Sequence, residues 1–297
     1  SVLGDEASNI VSIEVLPTLL ETQLLRSASS TQLYTDKNLG AAMAMSPTSD
    51  QLVISTDVGT VAIVDTDPNS PSFNQRVAEA SWGADPAYDI VIRPDGKRAY
   101  ASVPADNSVK VIDIDPSSPG YGTVIGDVST VFWVFNSPQE MAMSPDGEML
   151  LVNDASSAVI LHVNTYAGGP SENAVVDTFH VNAVTDIVFN PDGSHAYATL
   201  GGAHSLTVLD VDSTSASFGQ RVHTLLLPSP EVPPLPDFRN QPMSISVVPD
   251  GSHCFVLTND EVNDYHYVYL LEVDRPDTLL YTKEHTYGFG ISAAPPT

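Results

Sequence analysis

Basic residues are scarce in this chain: 11 Lys and Arg stand against 37 Asp and Glu in 297 residues, a formal net charge of −26. A surface of that sign repels phosphate backbones and anionic headgroups, which excludes nucleic acid and anionic membranes as partners. It attracts cations and keeps the protein soluble in salt, and the shortage of Lys points to a secreted, periplasmic or cell-surface protein. No run of 18 apolar residues occurs, so no membrane insertion by a helix is expected. Cysteine is reduced to Cys254 alone, which rules out an intrachain disulfide or a cysteine-based metal site. Its place in the alternating stretch HCFVLT reads as a small buried hydrophobe. There is no initiator Met and no recognisable signal peptide, which fits a chain processed or trimmed from a longer one. Also missing are a His-Glu-x-x-His pair, a nucleophile elbow, a phosphate-cradling glycine loop and an Asp-x-Asp-x-Asp-Gly calcium loop.

What the chain does have is an internal repeat. The stretch IVFNPDGSHAYATLGGAHSLTVLDVD (187–212) is an apolar run, a Pro-Asp-Gly turn, an alternating run, a Gly-rich turn and a third alternating run ending in acid. That is the grammar of an antiparallel meander. It recurs from Met43, Ile90, Met141 and Ile245, and its first strand opens again at Ile291. The anchoring prolines, Pro47, Pro94, Pro145, Pro191, Pro249 and Pro295, are spaced by 47, 51, 46, 58 and 46 residues. A period of this length with several strands per unit predicts an all-β fold, a β-propeller. Fourth strands are expected over 75–81, 122–132, 174–181, 220–227 and 278–286.

The N-terminal runs SNIVSIEV and TLLETQLLRS read as a third and a fourth strand lacking a first. The chain is therefore expected to form one domain, 1–297, of six four-stranded blades. Five lie near 41–88, 89–139, 140–185, 186–243 and 244–289, and the sixth is split between 290–297 and 1–40. From Pro295 round to Asp5 there are 7 residues, against 10 from Pro47 to Asp57, so the split blade's second strand is short. Seven blades in a longer native chain is the alternative. The strings SPDG, NPDG and VPDG, each followed by an alternating strand and then by VKVIDID or LTVLDVD, resemble the YVTN-type β-propeller repeat family over nearly the whole chain. The resemblance implies the fold; surface-layer proteins, quinoprotein-like propellers and lactonase-like enzymes all carry such repeats, and the Tyr-Val-Thr-Asn string itself is replaced here by AYASVP, LLVNDA, AYATLG and CFVLTN.

In a four-strand meander the turns alternate between two faces. The Pro-Asp-Gly turns, with the acids closing the third strands (Asp65, Asp67, Asp113, Asp115, Asp210, Asp212), fall on one face and read as turn chemistry. The other face varies between repeats, which is where function would be grafted. Just ahead of the first strands the copies carry Ala42, Asp89, Glu140, Asp186, Ser244 and Gly290, so Asp89, Glu140 and Asp186 share one register near a channel mouth. Converging carboxylates could hold a calcium ion or another divalent cation, the one cofactor the sequence suggests, or else cap turns. The same face is expected to carry Trp82, Trp133, His204, and Phe238 with Arg239 on a Pro-rich link. Aromatics beside acids suit a protein or a carbohydrate partner, or else close off the core. Function is therefore expected to be non-catalytic: an extracellular, cell-surface or periplasmic module, monomeric as a domain, presenting one face to a protein or glycan. The alternatives are a lactonase-like or lyase-like enzyme with a divalent cation at the channel mouth, and a structural repeat of a larger surface protein.

Overall fold

A computed structural model describes residues 39–130, 134–169, 171–227, 240–260, 265–273 and 279–285, all within one compact unit, Leu33–Tyr287. The proposed split blade lies outside the described residues. So do Trp133, Phe238 and Arg239.

The described residues form five antiparallel four-stranded sheets, each ordered as its strands occur in the chain. The first contains β1 (Leu39–Met45), β2 (Gln51–Thr56), β3 (Thr60–Asp65) and β4 (Arg76–Ser81). The second contains β5 (Asp89–Ile92), β6 (Arg98–Val103), β7 (Ser108–Asp113) and β8 (Thr123–Asp127). The third contains β9 (Pro138–Met143), β10 (Met149–Asp154), β11 (Val159–Asn164) and β12 (Ala174–Phe179). In the fourth are β13 (Val184–Phe189), β14 (His195–Leu200), β15 (Ser205–Asp210) and β16 (Arg221–Leu226), and in the fifth β17 (Asn240–Val247), β18 (His253–Asp260), β19 (Tyr265–Glu272) and β20 (Leu279–His285). First strands of successive sheets lie side by side, β1 by β5, β5 by β9, β9 by β13 and β13 by β17. This is a propeller-like arrangement.

Middle strands are buried on both faces, so they read as near-continuous Val, Ile, Ala and Leu rather than as strict alternation. Each face then packs on a different neighbour. Val53, Ile63, Ala99 and Ile112 join the first sheet to the second; Tyr100, Val111, Leu150 and Leu161 join the second to the third. Leu151, Ile160, Ala198 and Leu209 join the third to the fourth, and Tyr197, Leu206, Val256 and Tyr269 the fourth to the fifth. Each large apolar side chain buried in this way contributes on the order of 2 kcal/mol. Cys254 sits in the last of these clusters, and burial pushes its thiol up to about 12, so it behaves as the inert hydrophobe expected.

The Pro-Asp-Gly turns close as their chemistry dictates. The glycine amides of Gly96, Gly147, Gly193 and Gly251 donate to the carbonyls of Arg93, Ser144, Asn190 and Val248 at 2.9–3.0 Å. The aspartates Asp95, Asp146, Asp192 and Asp250 accept the amide two residues on, at 2.8–3.0 Å. Each turn also nests on its predecessor, since a Cβ at Gly193 or Gly251 would lie 3.5 or 3.4 Å from the preceding turn's proline ring. The acids closing the third strands cap the following loops: Asp65 accepts from Asp67 N, Asp113 from Asp115 N and Asp210 from Asp212 N, at 2.9–3.1 Å.

One strand is shorter than expected. The run 122–132 was assigned whole to the second sheet's outer strand, but β8 ends at Asp127. Beyond it Val128 N returns to Val109 O at 2.8 Å, and Ser129 then bridges to Ala174 of the third sheet's outer strand. The chain changes partner there, and the apolar pattern carries no trace of the switch.

Gly147 has φ +75° and would place a Cβ 2.9 Å from both Arg93 Cγ and Pro94 Cδ, whereas Gly168, at φ +74°, would meet nothing within 4 Å. Gly168→Ala should therefore cost only the left-handed strain, about 1 kcal/mol, and Gly147→Ala about 2 kcal/mol more, because it also separates two turns. Urea unfolding of the two variants measures the difference.

Candidate functional site

The shared register of Asp89, Glu140 and Asp186 is real, and it brings the three carboxylates within electrostatic reach of one another. Asp89 opens β5 opposite Ser102, and Asp186 lies in β13 opposite Thr199. Glu140 falls where the β9–β10 pairing shifts. Asp89 Oδ1 accepts from Ile90 N at 2.7 Å, while Oδ2 accepts from Met141 N of the next sheet at 2.8 Å. Asp186 repeats this two repeats later, accepting from Ile187 N at 2.8 Å and from Ile245 N of the next sheet at 2.9 Å, with Ser244 Oγ at 2.8 Å. Neighbouring hydroxyls reinforce these seams. Ser102 Oγ donates to Gln139 O at 2.6 Å, and Thr185 Oγ1 to Pro242 O at 2.6 Å.

Glu140, one methylene longer, is used differently. Its Oε2 accepts from Asn153 Nδ2 at 3.0 Å, and that same amide group donates to Val184 O across the seam at 3.2 Å. Its Oε1 accepts from the hydroxyl of Tyr88 at 2.9 Å. Tyr88 was not foreseen, although it stands one residue ahead of the register that singled out Asp89. The residue is 46% exposed.

Burial raises the pKa of all three carboxyls. Asp89 is pushed to about 6, with the Met141 and Ile90 amides opposing and the Asp186 and Glu140 charges adding to the rise. Glu140 rises through burial, held back by Asn153 and Tyr88. Asp186 rises for the same reason, held back by Ile245, Ser244 and Ile187. Burial, then the charge of Glu140, carries the Tyr88 phenol to about 12, so it is a hydrogen-bond donor at any physiological pH.

A single cation shared by these carboxylates was one expectation. Among the described residues no group of three or more His, Cys, Asp or Glu is placed to hold a metal ion. The reason is visible in the bonds just described: Asp89 and Asp186 each spend both oxygens on backbone amides. Trp82 is half-buried against the core between the first and second sheets, its Nε1 donating to Asp85 O at 2.9 Å, which is a lid on the core. His204 sits in the second-to-third turn at φ +48°, ending a short 3-10 turn, and its carbonyl accepts from Leu227 N at 2.9 Å.

On the opposite face the structure contains two hydroxyl–imidazole pairs that the sequence did not suggest. Ser194 Oγ lies 2.7 Å from His195 Nδ1, and Ser252 Oγ 2.7 Å from His253 Nδ1. They occupy the same place after a Pro-Asp-Gly turn, and Ser194 and Ser252 also donate their amides to the turn aspartates. Duplication in one turn type marks them as turn closure rather than as a nucleophile with its base.

No family model and no curated protein matches the sequence. Among solved structures the chain is similar to Kuenenia stuttgartiensis hydrazine synthase, at 19% identity and a TM-score of 0.53, over 67% of this chain and 49% of that one. The chain thus spans about half the length of that protein, and at this identity the likeness is one of fold.

Because the folded-state pKa of Asp89 lies above the unfolded value, the stability tied to its protonation is fully present below about pH 4 and is lost as pH rises through about 6. Asp89→Asn does not titrate. The stability of the unmutated protein relative to Asp89→Asn should fall by up to about 3 kcal/mol between pH 4 and pH 7. Parallel urea titrations across that range check it; a constant difference would show that Asp89 has an ordinary pKa.

Proposed function

We propose that the chain is a non-catalytic, extracytoplasmic β-propeller of YVTN-like repeats that binds a protein or a glycan on the face carrying the second-to-third turns. The observation that carries this reading is Tyr88. The residue is 46% exposed while its hydroxyl is fixed on Glu140, which is itself held by Asn153. A flat apolar ring held rigid beside hydrogen-bond acceptors stacks on a sugar or packs on a peptide side chain at little cost in conformational entropy. The composition supports an exported protein, and the net charge of −26 argues against polyanions. Among the described residues no helix is long and apolar enough to cross a membrane.

Six blades are the second part of the proposal, the last assembled from the two ends of the chain. Two faces that no other described sheet joins support it. On the first sheet Leu52, Ile54, Ala62 and Val64 form a cluster that no other described sheet joins, and Met43 and Met45 are 63% and 57% exposed beside it. On the fifth sheet Phe255, Leu257, Val268 and Leu270 alternate with the residues facing the fourth sheet and are only half-buried. A sixth blade between those faces would cover both.

Tyr88→Ala should weaken binding to any hit from glycan and tiled-peptide arrays more than tenfold, with an unchanged melting temperature, while Tyr88→Phe keeps most of it. Equal binding by Tyr88→Ala would place the partner elsewhere. Removing residues 288–297 should lower the melting temperature by several degrees and increase binding of an apolar dye, since a blade loses its inner strand; an unchanged melt would contradict closure by the chain ends.

A further inference from the structure

The seams between sheets are not alike at their Pro-Asp-Gly end. The one between the third and fourth sheets opens into a cleft of about 780 Å³, against about 370 Å³ between the first and second and about 150 Å³ between the second and third. The repeat shows which residue differs. Leu151 pairs with His162 as Val53 does with Ile63, Tyr100 with Val111 and Tyr197 with Val208. Ile63, Val111 and Val208 are buried, filling their seams with aliphatic side chains. His162 puts an imidazole in that position, where it lines the cleft.

The described residues do not complete that imidazole's hydrogen bonding. Its Nδ1 is buried without a partner among the described residues. The ring rests on Phe218 at 5.9 Å, nearly edge-on, and on Phe179 at 6.1 Å. Burial lowers its pKa, with Asp177 opposing, so it is neutral at pH 7 and keeps an acceptor nitrogen. Around the cleft stand Asp146, Glu148, Asp192 and Asp212, and no Lys or Arg lines it. The turn caps of Asp146 and Asp212 fall on Oδ1. Met149, Val176 and Phe189 supply an apolar floor, with Val176 48% exposed.

We propose that this cleft binds an extended basic peptide segment, its Lys or Arg side chains reaching the carboxylates and its apolar side chains lying on Met149, Val176 and Phe189 beside the His162 ring. Charge complementarity selects the occupant: four carboxylates line the cleft with no Lys or Arg among them, so an anion is repelled and an ammonium or guanidinium is matched. The apolar floor between the acids selects a chain that alternates cationic and apolar side chains, as an extended peptide does. The volume is that of a pocket for a few side chains. The site lies at the opposite end of the strands from Tyr88 and does not depend on that face binding anything.

The test uses an acetylated, amidated hexapeptide of alternating Lys and Val, labelled for fluorescence anisotropy, at about 150 mM salt so that diffuse attraction is screened. Four forms of the full chain are compared: unmutated, Glu148→Gln/Asp212→Asn, His162→Val, and Asp67→Asn/Asp115→Asn, whose acids occupy the repeat position of Asp212 in other sheets. We expect saturable binding, weakened tenfold or more by Glu148→Gln/Asp212→Asn and threefold or more by His162→Val, and within twofold of unmutated in the Asp67/Asp115 control. His162→Val restores the aliphatic residue of the repeat, so its melting temperature should hold or rise, which separates lost binding from lost folding. Equal weakening in the control would reduce the effect to surface charge and overturn the proposal. So would the absence of saturation, or displacement of the peptide by spermidine at equal concentration, which would make the ligand a small polyamine.

Discussion

A sheet edge left inside a protein must have its amides satisfied, and that requirement organises the seams of this molecule. β9 and β17 are the edges of their sheets, and Met141 N and Ile245 N point away from their own ladders toward the sheet before. The preceding sheet answers with a carboxylate, Asp89 in one case and Asp186 in the other. A carboxylate suits the task because it is acceptor-only and can take its own following amide on the second oxygen, which fixes its direction. The cost is a buried negative charge, with no Lys or Arg among the described residues acting on it, and it appears as the raised pKa values of Asp89 and Asp186.

The repeat solves one problem several times, and its departures are informative. Where Glu140 replaces aspartate, the seam to the fourth sheet is carried by Asn153 instead, and the longer acid turns to the hydroxyl of Tyr88. Where His162 replaces an aliphatic residue, the core between two sheets stops short and a cleft opens. Both departures fall in the third sheet. They leave the exposed Tyr88 fixed on Glu140 at one end of that sheet and a cleft beside His162 at the other, whereas the regular positions are consumed by holding the sheets together. A repeat fold acquires function in this manner, through positions released from the pattern.

Much of the fold was legible because its signals are local. Pro-Asp-Gly sets φ and a cap within three residues, and alternation marks the strands on either side, so four of the five outer strands lie within a residue or two of where the pattern puts them. The end of β8 was illegible because a change of hydrogen-bond partner at Ser129 leaves no mark in residue type. The convergence of Asp89, Glu140 and Asp186 could be read from register, but their role could not: whether an aspartate oxygen meets an ion or the amide of Met141 is decided by a contact 52 residues away in sequence. His162 is the instructive omission. Set against Ile63, Val111 and Val208 it is a polar residue in an aliphatic column, a signal present in the sequence once the copies are aligned on the pairing of their middle strands.

Carboxylates brace one sheet to the next. Amide hydrogen exchange at Met141 and Ile245, followed by NMR, measures this directly. Both amides should be protected in the unmutated protein; Asp89→Ala should release Met141 while leaving Ile245 protected, and Asp186→Ala should do the reverse. If the two amides exchange freely in the unmutated protein, or are indifferent to these substitutions, the carboxylates do not hold the seams and the structural reading of the acidic register is wrong.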